Sequence, residues 1–260
     1  MESGFRNVEL KDSPSLPLGK EGLGRITFEK FCRALFPHHC AACEKEGEVL
    51  CKECFEDLKS PHKGLFACAT CGVATPLGVA CDSRRCQAAP LDGLLSVTSY
   101  SDRTFRRLLH LWKYERVDAA GAALAELFKL FVRRHRTLIN IIAEDAEIIP
   151  VPLAFVRRAI RGFNQSEALA SIMGKVIEKR VSTHFLRRYH GRAAQAAIED
   201  RQARKENITG LFYTTSHVRS GGRYVLVDDV ATSSATLQEC AKVLKKFGAK
   251  SVWGVTLLRG

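Results

Sequence analysis

The spacing of apolar residues divides the chain into four stretches. The first 25 residues, "MESGFRNVELKDSPSLPLGKEGLGR", mix charges with Gly, Pro and Ser and carry no apolar period, which predicts a disordered leader. In "ITFEKFCRALF", residues 26–36, Phe28, Phe31, Cys32, Leu35 and Phe36 fall at i, i+3, i+4, i+7 and i+8. That spacing predicts a short helix with one apolar face and Cys32 as a core thiol. From 37 to about 90 no period survives, cysteines come in pairs and glycines are frequent, so the stretch lacks the apolar residues for a core of its own.

From 91 onward, short apolar runs of strand type alternate with helical ones. "LLSVTSY" predicts a strand and "AALAELFKLFVRRH" a helix with Leu124, Phe128, Phe131 and Val132 on one stripe. "EIIPVP" predicts a short buried strand closed by prolines, and "NQSEALASIMGKVIE" a helix after it. "YVLV" predicts a second buried strand. In "ATLQECAKVLKKFG" a helix turns Leu237, Cys240, Ala241 and Leu244 inward and ends on Gly248 as its C-terminal cap. "SVWGVTLL" supplies a last strand. Such alternation predicts a parallel, right-handed α/β sheet with helices on both faces over 91–260, preceded by a small cysteine-rich module over 26–90.

Composition narrows the function classes. A chain of 260 residues that is 46% hydrophobic can bury a full core. The leader has no apolar h-region of a secretory signal, and no segment reaches 18 apolar residues, so the expectation is a cytoplasmic protein without membrane insertion. A net charge of +12 points to an anionic partner such as a nucleotide, pyrophosphate or nucleic acid, or else to a solvated basic face.

Eight of the ten cysteines are paired: Cys40 with Cys43, Cys51 with Cys54, Cys68 with Cys71, and Cys81 with Cys86 at the looser C-x4-C spacing. Each C-x2-C turn aims two sulfurs at one point, so four pairs suffice for two tetrahedral zinc sites. Sequential use of the pairs is the simpler arrangement, and a crossed one satisfies the same count. The metal would replace the missing core, since structural zinc contributes about 10 kcal/mol or more to small modules. A disulfide framework needs an oxidising compartment, for which the chain carries no signal.

The remaining chemistry is in "YVLVDDVATSSATL", residues 224–237. Ligands of parallel sheets bind outside the carboxyl ends of the strands, where Asp228 and Asp229 are expected. The following residues, Ala231 to Thr236, form the loop into a helix, whose amides and dipole suit a phosphate, while the two carboxylates reach the hydroxyls of an attached sugar. An ATPase strand looks similar, but the chain has no G-x-x-x-x-G-K-[ST] to accompany it.

"VLVDDVATSSAT" resembles the phosphoribosyl pyrophosphate (PRPP) motif of type I phosphoribosyltransferases. With "IIPVPLAFVRRAIRGFNQSEALA", "RAAQAAIEDRQARKENITGLF" and the cysteine module, residues 26–260 are similar to the ComF family, also called GntX-like, of competence and DNA-utilisation proteins. The resemblance implies a phosphoribosyltransferase-like α/β domain behind a double zinc ribbon. It implies that Asp228 and Asp229 bind the ribose hydroxyls and that Ala231, Thr232, Ser233, Ser234, Ala235 and Thr236 cradle the 5′-phosphate. Arg157, Arg158, Arg161 and the backbone of Gly162 would meet pyrophosphate with Mg²⁺, beside Asn164 and Gln165. Arg204, in a mobile stretch with Gln195 and Asn207, would stabilise departing pyrophosphate. The implied role is handling of single-stranded DNA in natural transformation, with the DNA-import machinery as a partner; the rivals are a salvage phosphoribosyltransferase and a PRPP-sensing regulator without turnover. The family's usual glycine is replaced by Ser234, which fits the loop without strain only if its φ is negative.

Overall fold

The computed structural model describes residues 38–59, 64–189, 210–215 and 217–260. The leader and the helix expected at 26–36 lie outside these residues. The cysteine-rich stretch supplies α1 (Lys52–Lys59), β1 (Leu65–Phe66) and the four-residue α2 (Arg84–Gln87). Next come β2 (Gly93–Ser99), α3 (Arg103–His110), a π-helical turn Leu111–Glu115, α4 (Asp118–Arg134) and α5 (Arg136–Ile142). Then follow β3 (Ala146–Pro150), α6 (Phe155–Arg161), α7 (Gln165–Ile177) and a hairpin of β4 (Leu186–Arg188) with β5 (Phe212–Thr214). The chain ends with β6 (Arg223–Ala231), α8 (Ala235–Lys246) and β7 (Ser251–Arg259).

Five strands form one sheet in the order β1-β2-β7-β6-β3, parallel except at the β1 edge. As an interior strand covered on both faces, β6 buries all of Tyr224–Val227. Val225 and Val227 join one core cluster with Leu124 and Phe128 of α4 and Leu169 and Met173 of α7. Tyr224 and Leu226 join the other, with Leu237, Cys240, Ala241 and Leu244 of α8 and with Leu186 and Phe212 of the hairpin. The expected α/β architecture and the expected inward stripes of both helices are therefore present. Gly248, at φ 94°, follows α8 in the left-handed conformation that a C-terminal cap requires.

Three differences from the expectation matter for the site. β6 does not stop after "YVLV" but runs to Ala231, because β7 continues beside it to the Ala231↔Arg259 pairing. The segment after "IIPVP" is not a loop throughout: α6 follows β3 after four residues. Between β2 and α4, α3 and the π-turn pack Phe105, Leu108, Leu109 and Trp112 into the core. Gly121 of α4 permits that approach, since a Cβ there would lie 2.4 Å from the Trp112 indole nitrogen. The cysteine module is not held by metal ligands alone, because Ala41, Val49 and Phe55 join the first core cluster and β1 extends the sheet.

Candidate functional site

Asp228 and Asp229 lie near the carboxyl end of β6, followed in the strand only by Val230 and Ala231. Asp229 shares a sheet face with Val225 and Val227, and there Lys113 of the π-turn donates to its Oδ1 at 2.7 Å. Both side chains are largely covered, at 12% and 11% exposure. Asp228 Oδ1 accepts from the Ser166 hydroxyl at 2.8 Å and from the Asp229 amide at 2.8 Å. Burial first, and then the neighbouring Asp229 charge, push the Asp228 carboxyl up to about 7; Ser166, the Asp229 amide and Lys113 oppose the shift. The pair thus holds one carboxyl that changes protonation near neutral pH beside a carboxylate with its own cation.

The loop after the pair is shorter than the sequence implies. Ala231 is the buried last residue of β6, Thr232, Ser233 and Ser234 form the loop, and Ala235 and Thr236 open α8. Ser234 has φ 55° and ψ 7°, so the condition of a negative φ is not met: a serine occupies the left-handed conformation that favours glycine. Its side chain is 3% exposed and its Oγ has no hydrogen-bond partner among the described residues. A buried hydroxyl left unpaired costs about 1–3 kcal/mol, a cost that an anion at the α8 N-terminus would remove.

The segment after β3 reaches the same edge of the sheet, since β3 pairs with β6. Asn164 caps α7 by accepting from the Ser166 amide at 3.1 Å and ties back by donating to the Val151 carbonyl at 3.1 Å. Gln165 is wholly buried; its Oε1 accepts from Arg161 at 3.3 Å and its Nε2 is unpaired among the described residues. Arg161 is buried over the Tyr114 ring, 5.1 Å from its centroid. Arg158 is exposed and pairs with Glu167 at 3.0 Å, and Arg157 is exposed. The Gly162 amide, expected as a free donor, already donates to the Arg158 carbonyl at 2.8 Å where α6 ends in a left-handed turn. Arg204, Gln195 and Asn207 lie outside the described residues, between β4 and β5.

The eight paired cysteines converge as two sets, Cys40, Cys43, Cys51 and Cys54, and Cys68, Cys71, Cys81 and Cys86, with the sulfurs of each set within 4.8 Å of one another. Cys43 and Cys51 sulfurs are 3.7 Å apart and those of Cys71 and Cys81 3.6 Å, close to the ~3.8 Å edge of a tetrahedron with Zn–S near 2.3 Å. The C-x4-C pair closes its set as well as the C-x2-C pairs do. Both sets start with the same knuckle. Cys40 and Cys68 each donate their amide five residues on, to Lys45 and Val73, and accept at their carbonyls from Glu44 and Gly72. Glu44 and Gly72 both have positive φ. Burial raises the Cys40 thiol, but the amides of Cys43, Cys51 and Ala42 outweigh it and hold it at about 6; Cys68 is likewise held at about 6 by the amides of Cys71, Cys81 and Thr70 against its burial. In each cage the first cysteine is therefore the readiest to ionise, and the thiolate is the form that ligates metal.

Sequence reasoning missed Lys113 and Ser166. The signal for Lys113 was the i, i+3, i+4, i+7 spacing of Phe105, Leu108, Leu109 and Trp112, which brings the following lysine to the sheet.

No family model matches the chain. DNA utilization protein YhgH of Escherichia coli O6:H1 is 31% identical over 213 residues, covering 82% of this chain and 85% of that protein. Competence protein F of Haemophilus influenzae is 26% identical over 230 residues, covering 85% and 97%. Among solved structures, a hypoxanthine phosphoribosyltransferase from Staphylococcus aureus is similar over 52% of this chain and 64% of its own, at 16% identity and a TM-score of 0.32. Similarity at this level over more than four-fifths of the length, with both cysteine cages and the acid pair in place, means that the chain belongs to the ComF family of competence and DNA-utilisation proteins.

Proposed function

We propose that the protein binds PRPP with Mg²⁺ at the carboxyl edge of β6 and handles single-stranded DNA in the cytoplasm during natural transformation, with two structural zinc ions in its cysteine module. The observation that carries the PRPP reading is the buried Ser234 hydroxyl, without a partner among the described residues, at the N-terminus of the twelve-residue α8 and next to the acid pair. In this reading the amides of Thr232–Thr236 and the Ser234 hydroxyl take the 5′-phosphate, and Asp228 and Asp229 accept from the ribose hydroxyls. Lys113, paired with Asp229 in the free protein, turns to a pyrophosphate oxygen when the ribose arrives. Arg157, whose guanidinium is exposed, Arg158 after release from Glu167, and Arg204 supply the remaining cationic donors. Mg²⁺, a hard cation that takes oxygen ligands, would offset the negative charge of the pyrophosphate there. The soft four-sulfur donor sets suit zinc, which would hold each knuckle shut. The DNA part draws on the names of the relatives, a DNA utilization protein and a competence protein, and on the charge of +12.

A transferase of nucleotide salvage is the second reading, and the Asp228 carboxyl near 7 favours it by offering a proton acceptor beside the ribose site. Titration of a labelled oligothymidine, with and without PRPP and Mg²⁺, alongside a pyrophosphate-release assay against bases, separates the two. DNA binding that responds to PRPP is expected. Pyrophosphate release with a base and no DNA binding would replace the DNA reading by salvage.

A further inference from the structure

The charge surplus has a specific location that the PRPP site does not use. On α3, Arg103, Arg106, Arg107 and His110 occupy i, i+3, i+4 and i+7, a stripe of three arginines and a histidine opposite the buried Phe105, Leu108 and Leu109. An ordinary basic stripe faces open water. This one, though solvent-exposed, borders an open cavity of about 1090 Å³ whose other side is formed by Ala41–Glu44 of the first cysteine knuckle. Aromatic rings stand at both ends of the stripe. Tyr100 lies under the Arg106 guanidinium at 5.8 Å, and Tyr114, 62% exposed, stacks on His110 at 4.9 Å while Arg161 backs it. Two carboxylates face the cavity: Glu44 pairs with Arg107 at 3.3 Å and Glu115 with His110 at 3.4 Å. Arg103 and Arg106 pair with no carboxylate among the described residues. Val230 and Thr232 form part of the wall, so the cavity opens onto the phosphate loop.

We infer that this cavity is the single-stranded nucleic acid site, its phosphodiesters on the α3 arginines and its bases on Tyr100 and Tyr114. The inference rests on the DNA reading above and gives it a place. A row of cations flanked by exposed rings matches a strand, which offers both phosphates and bases, better than a compact anion, which would leave the rings without contact. The volume exceeds what one small anion fills. The knuckle forms one wall, so the first metal cage shapes the site without touching the reaction.

The test uses the full metal-loaded chain and fluorescent oligothymidine over a salt series. Replacing Arg103, Arg106 and Arg107 together by alanine is expected to weaken binding at least about tenfold near 0.1 M salt and to flatten the log–log salt slope by about 2. A charge-matched control replaces Arg180, Arg219 and Arg223, which sit beside Ala146 at the opposite, amino edge of the sheet and do not line the cavity, and should do neither. Tyr114→Ala should cost about 5-fold or more, and Tyr114→Phe, which keeps the ring, should restore it to within about twofold. If wild type binds oligothymidine but both arginine triples weaken it equally, the cavity is overturned and DNA binding stands. If wild type does not bind it at low salt, the DNA reading itself falls.

Discussion

Ser234 is the residue at which the site and the stability of the fold conflict. A left-handed serine is strained by about 1–2 kcal/mol, and its buried hydroxyl has no partner among the described residues. Glycine relieves both at an entropic cost of up to about 1 kcal/mol. Ser234→Gly is therefore expected to raise the melting temperature of the ligand-free protein by about 2 °C; a fall, followed by thermal denaturation, would show that the hydroxyl already has a partner. The acid pair and loop were legible because four apolar residues followed by two acids and small hydroxyl residues have few uses at a strand end. The backbone sign at Ser234 was not legible, since φ is set by how β6 and α8 meet and not by the serine. Lys113 was harder to see: the apolar period through Trp112 marks the helix before it, but its meeting with Asp229 depends also on the packing of Trp112 against Gly121, which that period does not encode.

Among the elements, the two cysteine knuckles were the most readable, because C-x2-C spacing is a local geometric requirement, and the strand–helix alternation after residue 91 nearly as much so. α1, α2 and the β4–β5 hairpin are too short to show a period, and α3 was obscured by its arginines. The module's dependence on metal is now a question of degree, given that Ala41, Val49 and Phe55 are anchored in the main core. Metal analysis is expected to give two zinc ions per chain. Chelation should lower the melting temperature and expose the eight thiols to a thiol reagent while the α/β sheet persists by circular dichroism. One ion per chain would remove one cage, and thiols that stay unreactive after chelation would contradict metal as the element that closes the module.

At the scale of the molecule, the carboxyl edge of the sheet gathers the acid pair, the loop into α8, the capped start of α7 and the mouth of the arginine-lined cavity. The Asp228 carboxyl ties ligand binding to pH. Its folded pKa is raised, so the proton is held more tightly folded than unfolded, and the stability this contributes is present at low pH and lost as pH rises towards about 7. Ribose hydroxyls and Mg²⁺ need the ionised pair, so a proton must leave on binding below that pH, and affinity should climb through about 7 and level above it. The most direct measurement is the melting shift produced by PRPP with Mg²⁺ between pH 6 and pH 8, for wild type and for the Asp228→Asn, Asp229→Asn double variant. At about 100 times the dissociation constant, linkage supplies roughly 2.7 kcal/mol, a shift on the order of 5 °C. The account predicts that shift at pH 8, a smaller one at pH 6, and none in the folded double variant; a shift that survives the loss of both aspartates would contradict it.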